Sequence, residues 1–347
     1  MPEKRRKSAV TIQEVAARAK VSAMTVSRVT NTPERVAPAT RQRVEQAILE
    51  LGYVPNALAS GLLHGRTRTI ALIVSDINNP FFTMLLRGVE DMAQRNGYTV
   101  IIGNSDESVE KERQYVQALI GKRIDGLLIA PAGSGSLETL KLLQRRNNPF
   151  VLIDREIESI QADVVMGDSV EGARVLTEHL IKLGHRRIAL VNGSYDVPTA
   201  RQRLAGYRRA LEEYDIPFDP ELAKECSYRR GPAQVGMAEL LALPAERRPT
   251  AVVASNNLIC IGVIEALRQA QLRIPEDMAV VCFDDIELAS AIDPFLTVLA
   301  QPARRFGTIA AQFLFERIDR SAPGPARRVV LPSELLVRRS CGSSLLR

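Results

Sequence analysis

From Thr69 onward one pattern repeats: a short apolar run, rich in β-branched residues and Leu, that ends in a polar or small residue and is followed by a longer helical stretch. The runs are TIALIVSD, YTVIIGNSD, DGLLIAPAG, PFVLIDR, RRIALVNGS, TAVVASNN and MAVVCFDD. Such runs suit strands buried on both faces, and their alternation with helices implies a parallel sheet. Helices are expected near 83–96, 107–121, 170–183 and 200–213. The spacing predicts two similar sheets, about 69–160 and 165–292, facing each other across a cleft. Ligands of open α/β sheets bind beyond the carboxyl ends of the strands, where Ser75, Asp76, Asp154, Asn192, Asn256 and Asp284 all fall.

The first 68 residues differ in both charge and pattern. They hold twelve Lys and Arg against five Glu, a net of +7, while the rest of the 347-residue chain holds 34 against 35. A basic module on a nearly neutral body is the footprint of phosphate binding. Within it, Thr11 and Glu14 form a capping box before the stripe Ile12, Val15, Ala16, Ala19. A tight connection through Lys20 and Val21 leads to a second helix capped by Ser22. That helix sends Val26 and Val29 to one side and Ala23, Met24, Ser27 and Arg28 to the other. A third helix starts at Pro38, buries Val44, Ala47, Ile48 and Leu51, and stops at Gly52. The arrangement predicts a helix-turn-helix whose second helix enters a major groove.

VTIQEVAARAKVSAMTVSRVTN and TRQRVEQAILELGYVPNALASGLL resemble the head and hinge of the LacI family of bacterial repressors, and the resemblance continues through almost the whole chain. It implies a head at 9–54, a hinge helix and linker at 55–68, and a two-lobed, periplasmic-binding-protein-like sensor and dimerisation domain at 69–340. The implied DNA-binding residues are Thr11, Ser22, Ala23, Met24, Thr25, Ser27, Arg28 and Asn31, with Asn56 and the minor-groove wedge Leu62 in the hinge. Ala23, Met24 and Arg28 stand at base-reading positions, and Ser22, Thr25 and Ser27 at phosphate-binding ones. The chain departs from the family at Lys20, where Gly or Asn is usual, at Ala37, where a capping Ser is common, and at Ser60-Gly61 in the hinge. The implied effector contacts are Ser75, Phe81, Phe82, Asp154, Arg203, Tyr228, Asn256 and Asp284, with the two phenylalanines at the cleft mouth. The arginine that reads purines in one branch of the family is replaced by Val197, which turns the expectation toward a sugar or sugar derivative. Arg201, Arg229 and Arg230 leave open an anionic sugar acid.

No phosphate loop, dinucleotide fingerprint or nucleophile elbow is present, and GSG at 133–135 lacks the spacing of any of them. His64, His179 and His185 have no ligand spacing, and Cys226, Cys260, Cys282 and Cys341 lie far apart, as free thiols of a reducing compartment do. No run of about 18 apolar residues or secretory signal is seen. The expectation is therefore a cytoplasmic, homodimeric repressor of operator DNA, without catalytic residues, metal or cofactor, governed by a small molecule bound between its lobes. A sugar-binding protein would share the body but has no use for the basic head, and a sugar enzyme needs a catalytic motif.

Overall fold

The computed structural model describes residues 10–54, 66–320 and 324–343. Its contacts divide the chain into two units, Met1–Thr67 and Arg68–Arg347.

The first unit contains α1 (Ile12–Ala19), α2 (Ala23–Asn31) and α3 (Pro38–Leu51), with a short 3-10 turn at Pro33–Arg35. Thr11 caps α1, accepting from the Glu14 amide at 3.3 Å while Glu14 accepts from the Thr11 amide at 2.6 Å. Ser22 caps α2, accepting from Thr25 N at 3.1 Å. One small core joins the helices: Val15, Ala16 and Ala19 from α1, Val26 and Val29 from α2, Val44 and Ala47 from α3. Ile48 and Leu51 are only partly buried against it.

The two departures from the usual head sequence sit where the backbone feels them. Lys20 ends α1 in the left-handed region, φ 54 and ψ 49, where a Cβ is disfavoured and Gly or Asn is at ease. Ala37 occupies the cap of α3 and offers no side-chain acceptor to its first turn. Lys20→Gly is expected to stabilise the head by roughly 0.5–1 kcal/mol and Ala37→Ser by about 1 kcal/mol. Hydrogen exchange of the α1–α3 amides in the full chain checks both.

The second unit holds two six-stranded sheets. In chain order its elements are β1 (Thr69–Val74), α4 (Pro80–Arg95), β2 (Thr99–Asn104), α5 (Val109–Gly121), β3 (Gly126–Ile129), α6 (Leu137–Arg145), β4 (Phe150–Ile153) and β5 (Asp163–Gly167). There follow α7 (Ser169–Lys182), β6 (Ile188–Asn192), α8 (Pro198–Glu213), β7 (Ala223–Glu225), α9 (Arg230–Leu241), β8 (Ala251–Ala254), α10 (Asn257–Gln269), β9 (Ala279–Phe283), α11 (Glu287–Ile292) and β10 (Thr297–Ala300). The chain closes with α12 (Ala303–Ile318), β11 (Arg328–Leu331) and β12 (Glu334–Leu336). The sheet orders are β11-β5-β4-β3-β1-β2 and β12-β10-β9-β8-β6-β7, parallel except for the β10–β12 pair.

Helices α4 and α8 start earlier than their apolar periodicity suggests, because Pro80 and Pro198 fit the first helical turn, where no amide hydrogen is needed. The expected boundary between the sheets needs correction at β5. Residues 163–167 pair with β4, so they complete the first sheet rather than open the second. The run at 99–104 also differs from the buried strand expected: β2 is an edge, with Ile101 and Ile102 36% and 40% exposed.

Among the described residues the chain passes between the lobes three times, after β5, after β10 and after β11. The second passage returns α12 to the first lobe, where it packs on α4 backbone to backbone. A Cβ on Gly88 would lie 2.0 Å from the Arg304 carbonyl oxygen, and one on Gly307 2.0 Å from that of Leu85, so only hydrogen fits at either position. The end of α12 is tied down by Asp163, whose fully buried carboxylate accepts from Arg317 at 2.8 and 2.9 Å and from Arg327 at 2.7 Å, with the Arg327 amide at 2.8 Å. Burial raises the Asp163 pKa, but the bonds from Arg317 and Arg327 outweigh it and leave it at about 2, below the ordinary 3.8. A depressed carboxyl contributes stability above its unfolded pKa, and this is lost as pH falls through the folded one. Asp163→Asn is therefore expected to cost about 2 kcal/mol near neutral pH, with the deficit against wild type shrinking between pH 4 and pH 2 in thermal melts.

Candidate functional site

Two surfaces collect the residues singled out from the sequence. On α2 the buried valines turn inward, and Met24 is 63% exposed. Ser22 and Arg28 are exposed beside it, while Ala23, Thr25 and Ser27 are half-buried. Thr25 Oγ1 lies 2.9 Å from Ser22 Oγ, so the cap also orients the neighbouring hydroxyl. Arg18 pairs with Glu50, and Arg41 donates to Glu45 at 2.7 Å. Arg28 makes no ion pair among the described residues, which leaves its fork open at the exposed face. Asn31 ends α2, and Thr11 lies at the cap of α1. Asn56 and Leu62 lie outside the described residues.

The second surface lies between the lobes of the body, where strand ends from both sheets meet. Its lining includes Asp76, Asn79, Phe81, Phe82, Glu107, Asp154, Arg155, Thr199, Arg203, Tyr228, Asn256, Asp284 and Gln301, and it encloses only about 20 Å³. That is room for about one water molecule. Wider spaces of about 610 and 590 Å³ open to either side, one sharing Phe81, Asp284 and Gln301 with it, the other Glu107 and Tyr228.

The lobes contribute matching parts. Asp154 follows β4 with φ 67, and its amide donates to the Val165 carbonyl at 2.9 Å; Asp284 follows β9 with φ 68, and its amide donates to the Leu299 carbonyl at 3.0 Å. In each lobe, then, an aspartate is held in the left-handed region at the strand end, an unusual backbone state that clusters at functional sites. Arg203 reaches in from α8, donating to the Ser255 carbonyl, with its guanidinium carbon 4.1 Å from the Phe283 ring centroid and 5.8 Å from that of Tyr228. The Tyr228 hydroxyl is 3.1 Å from Thr199 Oγ1. Its ring needs Gly193 beneath it, since a Cβ there would come within 2.4 Å. Asn256 accepts from the Ile259 amide at 2.8 Å, so it caps α10 as well as lining the space.

Some expected residues sit elsewhere. Ser75 is fully buried at the end of β1 and is not part of the lining. Asn192 is spent on the loop, donating to the Ala200 carbonyl at 2.8 Å and accepting from the Gly193 amide at 2.9 Å. Phe81 and Phe82 are not at the mouth: each is 5% exposed, because the first turn of α4 aims them inward, where Phe81 meets Phe306 edge to face. The three arginines considered for an anion do not converge. Arg230 pairs with Glu265, Arg229 donates to the Asp106 carbonyl at 2.8 Å, and Arg201 to that of Tyr195 at 2.6 Å.

The largest omission from the sequence reading is Arg155, 3% exposed, which gives both terminal nitrogens to Glu107 at 2.6 and 2.7 Å. A charged pair directly after the apolar run FVLI was its one local signal, in the form of Asp154-Arg155. Glu107 is 48 positions away in sequence and carried none.

Burial pushes the Asp284 carboxyl up to about 6, against the lowering effect of Arg203 and of the bond from Gln301 at 2.8 Å. Burial likewise raises Asp154, opposed by Arg155 and Arg203. For Asp284 the folded state holds its proton more tightly than the unfolded one, so this residue makes the fold less stable as pH rises from about 4 to about 6. Melts of Asp284→Asn and wild type across that range should diverge, the variant gaining relative stability with rising pH; parallel curves would contradict the assignment.

A basic helix-turn-helix head in one chain with a two-lobed, ligand-cleft body defines a class: DNA-binding regulators that sense small molecules. The chain belongs to the lacI family of bacterial regulatory proteins. Residues 11–56 match that family's profile, and residues 177–341 match the periplasmic binding protein-like domain. The HTH-type transcriptional repressor PurR of Aliivibrio fischeri is 37% identical over 309 residues, covering 89% of this chain and 91% of its own. Among solved structures, the lac repressor dimer bound to operator and the anti-inducer ONPF superposes with a TM-score of 0.81 at 28% identity, over 96% of this chain and 99% of that one. The complex of the transcriptional regulator CelR with cellobiose gives 0.70 at 33% identity, over 95% and 99%.

Proposed function

We propose that the protein is a cytoplasmic, non-catalytic repressor that binds operator DNA as a homodimer and is released from it, or recruited to it, by a sugar or sugar derivative held between its lobes. The observation that carries this reading is the combination in one chain of Arg28, exposed on α2 and without an ion pair among the described residues, with a cleft to which both lobes bring an aspartate. Arg28 suits bidentate contact to guanine, Met24 and Ala23 suit apolar contact to a thymine methyl, and Ser22, Thr25 and Ser27 suit phosphate. Thr11, Asn31 and the hinge residues Asn56 and Leu62 complete the proposed DNA-binding set. In the cleft, Asp154, Arg203, Asn256 and Asp284 supply donors and acceptors for hydroxyls, with Tyr228, Phe81 and Phe82 as aromatic walls. Val197, where one branch of the family carries its purine-reading arginine, is 3% exposed and offers no hydrogen bond from its side chain, which favours a sugar over a purine.

Homodimerisation is supported by the apolar edge of β2, where Ile101 and Ile102 are exposed on a strand that pairs with β1 on one side and has no neighbour on the other among the described residues, a feature that soluble proteins usually cover. A twofold dimer calls for a near-palindromic operator. Effector and operator then need only a coupling of about 1–3 kcal/mol to change DNA affinity several-fold to a hundredfold.

Selection of genomic fragments by the protein, followed by titration of the enriched site, tests the reading. Arg28→Ala should lose about 1–3 kcal/mol per half-site and discrimination at one base pair, and Arg203→Ala should abolish the response of operator affinity to effector. Unchanged sequence preference in the first variant would displace α2 as the reading helix. An unchanged response in the second would displace the cleft as the sensor.

A further inference from the structure

The central site carries its own charge balance, and that balance restricts what it can hold. The fork of Arg155 is saturated: both terminal nitrogens go to Glu107 at 2.6 and 2.7 Å, and one of them also to the Pro131 carbonyl at 2.9 Å. What Arg155 keeps is its Nε–H, 3.4 Å from Asp154 Oδ2 and buried without an acceptor in hydrogen-bonding geometry among the described residues. The Nε–H of Arg203 is buried and unpartnered in the same sense. Against these two cations the lining sets four carboxylates: Asp76, Glu107, Asp154 and Asp284.

A ligand carboxylate or phosphate binds best to an open guanidinium fork. Arg155 has none to give, and Arg203, whose charge already favours the ionised forms of Asp154 and Asp284, donates one terminal nitrogen to the Ser255 carbonyl. An added anion would meet an excess of negative charge in a space with room for little screening water. A hydroxyl meets no such penalty, since it accepts from one Nε–H and donates to one carboxylate oxygen at the same time. The arginines nearer the surface do not line the central site: Arg230 is paired with Glu265, and Arg201 and Arg229 donate to the carbonyls of Tyr195 and Asp106.

We propose that the effector is an uncharged polyhydroxy compound, and that Glu107, by saturating Arg155, is the residue that excludes its acid and phosphate forms. This rests on the reading of the cleft as the effector site. It makes Glu107 a specificity determinant: Glu107→Gln keeps the size and one acceptor of the side chain but frees guanidinium charge for an incoming anion.

The test is calorimetric titration of the full-length protein with probes matched in all but charge: glucose with gluconate and glucose 6-phosphate, ribose with ribose 5-phosphate, cellobiose with cellobionate. In the wild type, at least one uncharged member should bind tenfold or more tightly than its anionic partners, a comparison independent of any variant's folding. Glu107→Gln should narrow that ratio by tenfold or more. A wild type that prefers the anionic member, or a folded Glu107→Gln with an unchanged ratio, overturns the proposal and leaves the cleft as an effector site. Silence from every pair, in protein that still binds operator, overturns the proposal together with the sugar reading of the cleft.

Discussion

The close crossing of α4 and α12 is the constraint on which the body depends. Gly88 and Gly307 let the two helices touch through their backbones, so a helix from late in the chain becomes part of the lobe built first. That return fixes the path of the residues just before α12, among them Gln301, which bonds Asp284 and lines the central site. The Asp163 clamp on Arg317 and Arg327 holds the other end of α12 against the same sheet. With both ends fixed, the passages between lobes stay short, and the strand ends of the two sheets face one another.

Facing strand ends explain the internal likeness of the site. Asp154 and Asp284 stand at equivalent points of the two lobes, each in the left-handed region and each with its amide bonded to the following strand. The lobes are not equivalent in what surrounds these aspartates. The first supplies Arg155 already bound to Glu107, and the second supplies Arg203 resting on Phe283. A ligand bridging the lobes therefore meets similar acceptors on each side but, among the described residues of the lining, one guanidinium inside an ion pair and one outside, and the selectivity proposed for Glu107 rests on this asymmetry.

The head follows a simpler logic. Its core is seven small or β-branched residues, so a few caps and one turn decide how well it holds. Most of this was legible in the sequence, since capping boxes, helix periodicity and stop signals act over three or four residues. The two unfavourable positions, Lys20 and Ala37, stand out in the sequence as departures from the family's pattern, and the backbone gives the reason.

Local chemistry thus determined the three-helix head, the strand runs and the aspartates at the ends of β4 and β9, because each depends on neighbours within a turn or a strand. Tertiary structure decided which sheet β5 joins, that β2 is an exposed edge, that Phe81 and Phe82 turn inward, and that Ser75 and Asn192 serve the fold instead of lining the site. It also decided the pairing of Arg155 with Glu107, which are brought together only when β2, β3 and β4 lie in one sheet with their carboxyl ends level. Pairing between distant charges has no period and no motif in the chain. It is set by the register of strands, and register is a property of the packed sheet.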